Sequence, residues 1–309
     1  MKALIIGGAG FVGAYLMRYL KEELHMEVTV TKMPQEQIEA ENVKVCDLDI
    51  LKKDDITGLF KAEQPDWIFH LAAQSSVSVS WKNPALTIDV NVKGGSNVLE
   101  AFRESGIKAR MLLIGSGEEY GHILPEETPI KENNCSRPGN IYAATKACQN
   151  MLGKIYADAY GLDVMMVRAF NHIGPNQTPM FVVADFCQQA AEIEAGKREA
   201  VMRVGKSECQ ERFYGCQRCD PCLCIDYGAW KGRRDIQCRK WTCCFHSADF
   251  RYDHLIIQSR YQGRGRPGKI KTGRCADHRG RHPEAGGVYR LETGDSIRTY
   301  DRRDIRLLA

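Results

Sequence analysis

The sequence predicts an α/β fold built on a doubly wound parallel sheet, and three observations lead to that prediction. The chain opens with MKALIIGGAGFVGAYLMRYLKEEL, where an apolar strand runs into a glycine turn and then into an amphipathic helix. Strand and helix patterns then alternate up to about residue 205, as they do in parallel sheets. A chain of 309 residues can also bury a core of one large two-lobed domain or of two ordinary ones.

The first turn predicts a site for a dinucleotide. A strand from Lys2 to Ile6 precedes glycines spaced three apart, and helical periodicity follows from Ala14 to Leu24. Glycine permits the unusual backbone angles of such a turn, and a missing Cβ lets a pyrophosphate reach the helix N-terminus. A glycine turn without a ligand would have the same pattern, so the site is a hypothesis. The predicted cofactor contacts in this stretch are Gly7, Gly10, Phe11, Val12 and Gly13.

The end of the second predicted strand, Val28 to Thr31, bears on which dinucleotide binds. An acid at this point would favour NAD(H), whereas a base suits the 2′-phosphate of NADP(H). The residue is Lys32, with no acid beside it, so NADP(H) is favoured over NAD(H), although a solvated lysine is also common at a strand end.

Two further strands end in residues suited to a cofactor. The stretch VKVCDLDI places Asp47 and Leu48 where an adenine edge would lie, and one of its two acids could instead cap a turn. The stretch DWIFHLAAQSSV ends in Leu71, Ala72 and Ala73, whose small size would let a cofactor lie close to the strand. A long helix from about Leu86 to Glu104 is expected next.

A strand-end serine is followed by a tyrosine and a lysine on one helix face. Ser116 ends the strand in IGSGEEYG, and Tyr142 and Lys146 are four residues apart on a helix that begins near Ile141. An ammonium group near a phenol favours its ionised form, which makes the hydroxyl a usable acid near neutral pH. Tyr227 and Lys231 repeat the spacing without a supporting strand or serine, so we interpret that second pair as chance.

Residues 1 to about 205 resemble the extended short-chain dehydrogenases/reductases that act on nucleotide sugars. The stretches IGSGEEYG, IYAATK and RAFNHIGPNQ are most similar to those of the GDP-6-deoxy-mannose reductases. The resemblance implies that Ser116 and Tyr142 bind the C4 keto oxygen of a GDP-sugar and that Tyr142 supplies the proton. It also implies that Lys146 holds the nicotinamide ribose and lowers the pKa of Tyr142, and that Asn171 and His172 lie between cofactor and sugar. A turn role for His172 is equally open, and a homodimer is expected.

Two positions depart from the reductase pattern. Gly117 stands where the family often has a hydroxyl residue, and Glu118 matches the acid with which related dehydratases move a proton at C5. Reduction of GDP-4-dehydro-6-deoxy-D-mannose to GDP-D-rhamnose is the favoured activity, with Glu118 orienting other groups. A dehydratase or epimerase of the same fold is the alternative, and Glu118 would then be catalytic.

The composition changes near Gly205. Residues 1–205 contain 21 Lys and Arg against 26 Asp and Glu, whereas residues 206–309 contain 22 against 13, together with nine of the 13 cysteines. The cysteine spacing in GCQRCDPCLC would suit a bound metal ion, and the many arginines would suit a nucleic acid. One alternative is therefore a non-catalytic dinucleotide sensor with a metal-bearing tail that binds nucleic acid. A disordered basic tail is a further alternative, but it is not expected to carry so many cysteines.

We favour a different explanation, in which the last third is translated in a shifted frame. When ERFYGCQRCD is back-translated into codons and the codons are read one base later, the permitted residues include KRDFTDVRDV. This run resembles the segment that the family has after V-G-N. The same offset turns DIQCRKW into a run containing Y-N-V-G-S-G, and it turns DRRDIRLLA into an amphipathic helix. An extra base near the codon of Lys206 would produce all three, and no metal site is expected.

These interpretations define the expected organisation of the chain. Residues 1–170 form an NADP-binding domain, residues 171–205 begin a smaller substrate lobe, and residues 206–309 are an aberrant tail that disrupts that lobe. Glycines interrupt the opening apolar run, which argues against a signal peptide, and no long apolar run occurs. We therefore expect a cytoplasmic protein that binds neither membrane nor nucleic acid.

Overall fold

A computed structural model describes most of the first two thirds of the chain and four short strands beyond it. The described residues are 1–38, 40–199, 201–204, 213–215, 235–237, 268–271 and 287–293. The proposed frame shift and the cysteine-rich stretch fall almost wholly outside these residues.

The main sheet consists of parallel strands, which confirms the predicted fold class. Its order is β6-β5-β4-β1-β2-β3, and a short strand β10 (Asp235–Gln237) pairs in parallel with β6 at the edge. The six main strands are β1 (Lys2–Ile6), β2 (Glu27–Lys32), β3 (Lys44–Asp47), β4 (Trp67–His70), β5 (Arg110–Ile114) and β6 (Val164–Arg168).

Helices connect the strands, and one of them differs from the prediction. The single helix expected from Leu86 to Glu104 is divided by a π-helical turn, Asp89–Gly94, in which Asn91 is buried and hydrogen-bonded to Thr145. This distant contact has no local sequence signal. The helices are α1 (Phe11–Glu22), α2 (Lys53–Glu63), α3 (Val77–Lys82), α4 (Pro84–Ile88), α5 (Gly95–Ser105), α6 (Ile141–Tyr160) and α7 (Val182–Glu194).

Two apolar clusters cover the two faces of the main sheet. Alternate residues of β1 belong to different clusters, with Ala3 and Ile5 in one and Leu4 and Ile6 in the other. This division follows from the strand geometry, which points successive side chains to opposite faces. The buried sheet therefore holds the carboxyl ends of its strands in fixed positions, where ligands of such folds bind.

The chain divides into two compact units, the second of which begins at Ile173. Of the described residues, those up to His172 belong to the first unit, as does β10. The second unit contains α7 and an antiparallel sheet of order β11-β12-β8, formed by Gly268–Lys271, Gly287–Thr293 and Val201–Val204. Short strands β7 (Asn171–Ile173) and β9 (Phe213–Gly215) form a further two-stranded sheet. No helix among the described residues is long and apolar enough to cross a membrane.

Candidate active site

Several glycines of the turn after β1 and of the first turn of α1 leave no room for a side chain, and Gly7 and Gly13 are two of them. Gly7 has a φ of +87°, and a Cβ there would lie 2.6 Å from the backbone nitrogen of Ala72. A Cβ on Gly13 would lie 2.6 Å from the carbonyl oxygen of Gly8. At Gly10, by contrast, an added Cβ would meet one protein atom, the Gly7 carbonyl oxygen at 3.5 Å, which is ordinary contact.

The missing side chain at Gly10 therefore leaves room that an approaching ligand could use. Gly10 is the N-cap of α1, so the first backbone N–H groups of that helix, including those of Phe11 and Val12, have no acceptor within the helix and can bind an anion at its N-terminus. The end of β4 lies beside the turn, because the Leu71 and Ala72 nitrogens both donate to the Ile6 carbonyl oxygen at 2.9 and 2.8 Å. Ala73, the next residue, is partly exposed. These residues fit a dinucleotide diphosphate.

Lys32 and Asp47, which the sequence assigns to different parts of the cofactor, form an ion pair with each other. They end neighbouring strands in register, and Lys32 Nζ lies 2.6 Å from Asp47 Oδ1. Leu48 donates its backbone N–H to the Lys32 carbonyl oxygen, while its side chain is buried in the core. Asp49 accepts from the Leu51 nitrogen and so is the acid that caps the turn.

The structure brings Ser116 and Tyr142 together at the carboxyl end of β5. Ser116 follows this strand, and its hydroxyl accepts a hydrogen bond from the Glu118 nitrogen at 3.2 Å. Burial raises the pKa of Tyr142 to about 12, and the neighbouring Ser116 side chain has a smaller effect that lowers this pKa. Asn140 caps α6 and so fixes the start of the helix that carries Tyr142.

Lys146 lies at the same strand end, one turn along α6. Its ammonium donates to the Ile114 carbonyl oxygen at 2.8 Å, and burial lowers its pKa to about 8. Besides burial, the groups that act on the pKa of Tyr142 are Ser116, Glu119 and Glu118. That Lys146 lowers this pKa stays a prediction.

The two positions that depart from the reductase pattern have local explanations. A Cβ on Gly117 would lie 2.7 Å from the ring of Phe170, so the packed ring excludes a side chain there. Glu118 is exposed, and its carboxylate accepts a hydrogen bond from Asn140 at 2.9 Å. Glu118 is thereby tied to the start of α6, close to Tyr142.

Asn171 and His172 form the start of β7, and both are partly buried. Burial lowers the pKa of His172 to about 4, so its imidazole is neutral at physiological pH and can both donate and accept a hydrogen bond. Their assignment to the sugar remains a prediction.

A buried charge cluster beside Ser116 was not recognised in the sequence. Glu119 is fully buried and accepts hydrogen bonds from the Ser116 nitrogen, from Asn150 and from Arg168. Ser116 and Glu119 also form a capping box around a short 3₁₀ turn, so the S-x-x-E spacing was the signal that could have revealed Glu119.

A second missed residue is His70, the last residue of β4. Its ring is buried, and neither ring nitrogen has a hydrogen-bond partner among the described residues. Burial, with a smaller effect from the Lys146 charge, lowers its pKa to about 3. No cluster of three or more metal-ligating side chains occurs in the described part of the chain. The cysteines that would suit a metal lie outside it.

Comparison with known proteins identifies the family. Residues 4–217 match the model of a family described as GDP-mannose 4,6 dehydratase. The GDP-6-deoxy-D-mannose reductase of Pseudomonas aeruginosa is 31% identical over 216 residues, which cover 70% of this chain and 67% of that protein. Five further curated relatives are covered over 54–61% of their length.

Solved structures agree with this assignment. The structure of RMD from Pseudomonas aeruginosa complexed with NADPH has a TM-score of 0.62 at 30% identity, covering 72% of this chain and 70% of that one. The Thermus thermophilus UDP-glucose 4-epimerase in complex with NAD has a TM-score of 0.67 at 27% identity and covers 77% of both chains. The chain thus belongs to the GDP-mannose 4,6-dehydratase family of extended short-chain dehydrogenases/reductases, whose members are NAD(P)-dependent nucleotide-sugar reductases, dehydratases and epimerases.

Proposed function

We propose that this protein is an NADP(H)-dependent reductase of the C4 keto group of GDP-4-dehydro-6-deoxy-D-mannose, with GDP-D-rhamnose as product. The observation that carries the proposal is the position of two hydroxyl side chains, Ser116 and Tyr142, which lie close enough to interact at the carboxyl end of β5. Similarity to a GDP-6-deoxy-D-mannose reductase supports the choice of reaction and of sugar.

In this proposal the Tyr142 hydroxyl is the proton donor. Its raised pKa keeps it protonated at neutral pH, and a phenol is still a far stronger acid than the alcohol formed from the ketone. Ser116 accepts a hydrogen bond from the Glu118 N–H, which leaves its own proton for Tyr142 or for a carbonyl oxygen between them. The two hydroxyls together would orient the ketone and stabilise the charge that develops on its oxygen.

The cofactor would supply the hydride, and the residues that would hold it are those of the glycine turn and the strand ends. The first turn of α1 would receive the diphosphate, and Lys146 would hold the nicotinamide ribose. Lys32 supports NADP(H), because its ammonium would complement a 2′-phosphate once its pairing with Asp47 loosens.

Dehydration of GDP-mannose is the second candidate, and Glu118 favours it. An exposed carboxylate held by Asn140 near Tyr142 could move a proton of the sugar, a step that reduction does not need. The family description also fits this reaction.

The experiment that separates the two is titration of NADPH with the keto sugar. A reductase oxidises one NADPH for each sugar consumed, whereas a dehydratase regenerates its cofactor and shows no net oxidation. We expect oxidation in a single turnover with protein in excess. Tyr142→Phe should slow that turnover by about 10²- to 10⁴-fold, the usual effect of losing a general acid. Tyr227→Phe, which has the same spacing to a lysine, is the matched control and should leave the rate unchanged.

We further propose that residues after about 205 are translated in a shifted frame. The change in composition near Gly205 supports this, as does the match to the family model, which stops at residue 217. We expect slow turnover for that reason, since the family builds most of its sugar lobe from this region. Sequencing the gene around the codon of Lys206 tests the proposal directly. Cooperative folding of the expressed tail with stoichiometric zinc would contradict it.

A homodimer through α6 is proposed as well. Met151 and Ile155 are four residues apart on this helix and are 60% and 55% exposed, which makes an apolar strip that a second copy could cover. We expect Met151→Glu to halve the mass measured by light scattering, while Lys108→Glu, at an exposed site elsewhere, leaves it unchanged. A monomeric parent protein would contradict the proposal.

A further inference from the structure

Glu119 is the most completely enclosed acid near the candidate catalytic groups. Its residue is 0% exposed, although a buried carboxylate is costly unless it is paired and fully hydrogen-bonded. The carboxylate meets that requirement: Oε1 accepts from the Ser116 nitrogen at 2.7 Å, both oxygens accept from Asn150 Nδ2 at 2.8 Å, and Oε2 accepts from Arg168 Nε at 3.1 Å.

These partners come from three different elements of the first unit. Ser116 follows β5, Asn150 lies in the middle of α6, and Arg168 is the last residue of β6. Arg168 is itself held, since its guanidinium lies over the Tyr120 ring and donates to the Glu132 carbonyl oxygen. One carboxylate therefore connects the strand end that carries Ser116 to the helix that carries Tyr142.

Gly115 shows that this arrangement is tightly packed. A Cβ on Gly115 would lie 2.3 Å from Glu119 Oε1 and 2.4 Å from Asn150 Nδ2. The carboxylate and the amide thus occupy the place of a side chain directly beside Ser116. Space is left for them because this strand-end residue is glycine.

We propose that Glu119 is a positioning residue, which fixes the backbone at Ser116 and thereby directs the Ser116 hydroxyl toward Tyr142. The inference rests on the proposed function, because it concerns the same two hydroxyls. Glu119 reaches neither of them directly: it binds the Ser116 backbone nitrogen, and it binds Asn150 two turns along α6 from Tyr142. Displacing a catalytic group by about 1 Å can slow a reaction about 100-fold, so holding this backbone in place has a measurable consequence.

The negative charge of Glu119 has a second effect on the site. It acts to raise the pKa values of both Tyr142 and Lys146. The other charged or titratable groups around the carboxylate are Arg168 on β6, Tyr120 and Glu118 on the 3₁₀ turn, and Lys146 on α6. Removing the charge should therefore lower the pKa of Tyr142. Because reduction needs protonated Tyr142, the alkaline limb of the pH–rate profile should move to lower pH.

The first experiment needs no substrate. Hydrogen exchange of the Ser116 amide should be at least about tenfold faster in Glu119→Ala, because that amide loses its acceptor. The Gly117 amide, which donates to the Ala169 carbonyl oxygen at 2.6 Å, is the internal control and should change little. Unchanged exchange at Ser116 would overturn the positioning role, and this result would not depend on whether the proposed reaction occurs.

The second experiment measures the single-turnover rate in Glu119→Gln. We expect a 10- to 100-fold slower rate, unchanged NADPH affinity and an alkaline limb at lower pH. Glu119→Gln/Asn150→Asp, which exchanges acid and amide, should recover part of the rate. Glu100→Gln is the matched control, since Glu100 also binds an arginine and a tyrosine, but on the surface of α5.

Two outcomes of the second experiment would overturn the proposal. One is an unchanged rate and pH profile in Glu119→Gln. The other is a loss of NADPH affinity and cooperative unfolding in parallel with the rate, which would mean that Glu119 serves the fold alone. If the parent chain does not oxidise NADPH with the keto sugar, the proposed function fails and the exchange experiment alone decides the role of Glu119.

Discussion

Two ion pairs lie at the carboxyl-end edge of the main sheet, and they differ in how deeply the acid of each pair is buried. Glu119 and Arg168 have side chains that are 0% and 19% exposed, and the acid also binds Ser116 and Asn150. Lys32 and Asp47 are 18% and 58% exposed, and one contact of 2.6 Å joins them. A buried, multiply bonded pair fixes its surroundings, whereas an exposed pair is screened by water and can exchange partners. The Glu119–Arg168 pair is therefore suited to holding neighbouring groups in place, and the Lys32–Asp47 pair is suited to contact with a ligand.

The largest expected effect comes from breaking the buried pair. Arg168→Met should lower the free energy of unfolding by about 3–5 kcal/mol, because Glu119 would be left as a buried charge without its cation. Arg110→Met is the control, since the Arg110–Asp163 pair is more exposed and should change stability by less than about 1 kcal/mol. Chemical denaturation measures both. Equal losses in the two variants would mean that burial does not distinguish the pairs.

Lys146 differs from the cations of both ion pairs, because it is buried and its hydrogen-bond partners are neutral groups. Its pKa is lowered to about 8 from an ordinary 10.5, so the unfolded chain binds more protons between these values and stability rises with pH there. Below pH 8 the full cost of burying the charge is present. Lys146→Met should therefore raise the free energy of unfolding at pH 7 by about 1–3 kcal/mol.

The Lys146 variant has a built-in structural control. Gln149 also donates to the Ile114 carbonyl oxygen at 3.2 Å, so this acceptor keeps a partner when the lysine is removed. The gain should shrink as the pH approaches 10.5, and turnover should be lost at every pH. A variant that is less stable than the parent at pH 7 would contradict the argument.

His70 is a buried residue whose two ring nitrogens have no hydrogen-bond partner in the described structure, and it predicts sensitivity to acid. Its pKa of about 3 lies below the ordinary 6.5, so the unfolded chain takes up the proton first and stability falls as the pH drops from 6.5 toward 3. At pH 5 the loss amounts to about 2 kcal/mol. His70→Leu should remove that part of the loss between pH 7 and 5, whereas His25→Asn, at an exposed site, should not. Parallel pH profiles for His70→Leu and the parent would contradict this.

The comparison also separates what the sequence could predict from what it could not. The strands and the glycine turn have local signals, because apolar runs and helical spacing are set by neighbouring residues. The pairing of Ser116 with Tyr142 was instead expected from the family resemblance, since the two residues are far apart in the sequence. The Glu119–Arg168 pair joins residues that are 49 apart in the sequence. From the sequence alone, both acids of EEYG would be placed on the surface. The short 3₁₀ turn sends Glu118 outward and Glu119 inward, a difference that depends on Asn150 and Arg168 being present.

The pairing of Lys32 with Asp47 is a second contact that the sequence could not predict. Each was assigned a part of the cofactor from its position at a strand end, but the register of β2 with β3 brings them together. The sequence offers no local sign of this pairing, because 14 residues separate them and the strands are parallel. A ligand that binds Lys32 must therefore compete with Asp47.

The smallest expected effect comes from loosening that exposed pair. Asp47→Asn should change the free energy of unfolding by less than about 1 kcal/mol, since an exposed pair contributes little. The same change frees the Lys32 ammonium, so NADPH should bind several-fold more tightly while NADH affinity changes little. Lys32→Ala should weaken NADPH about tenfold and leave NADH unchanged, and the difference between the cofactors should shrink at high salt. Fluorescence titration measures each affinity. Equal effects on NADPH and NADH in both variants would mean that this pair does not contact the 2′-phosphate, and the preference for NADP(H) would lose its support.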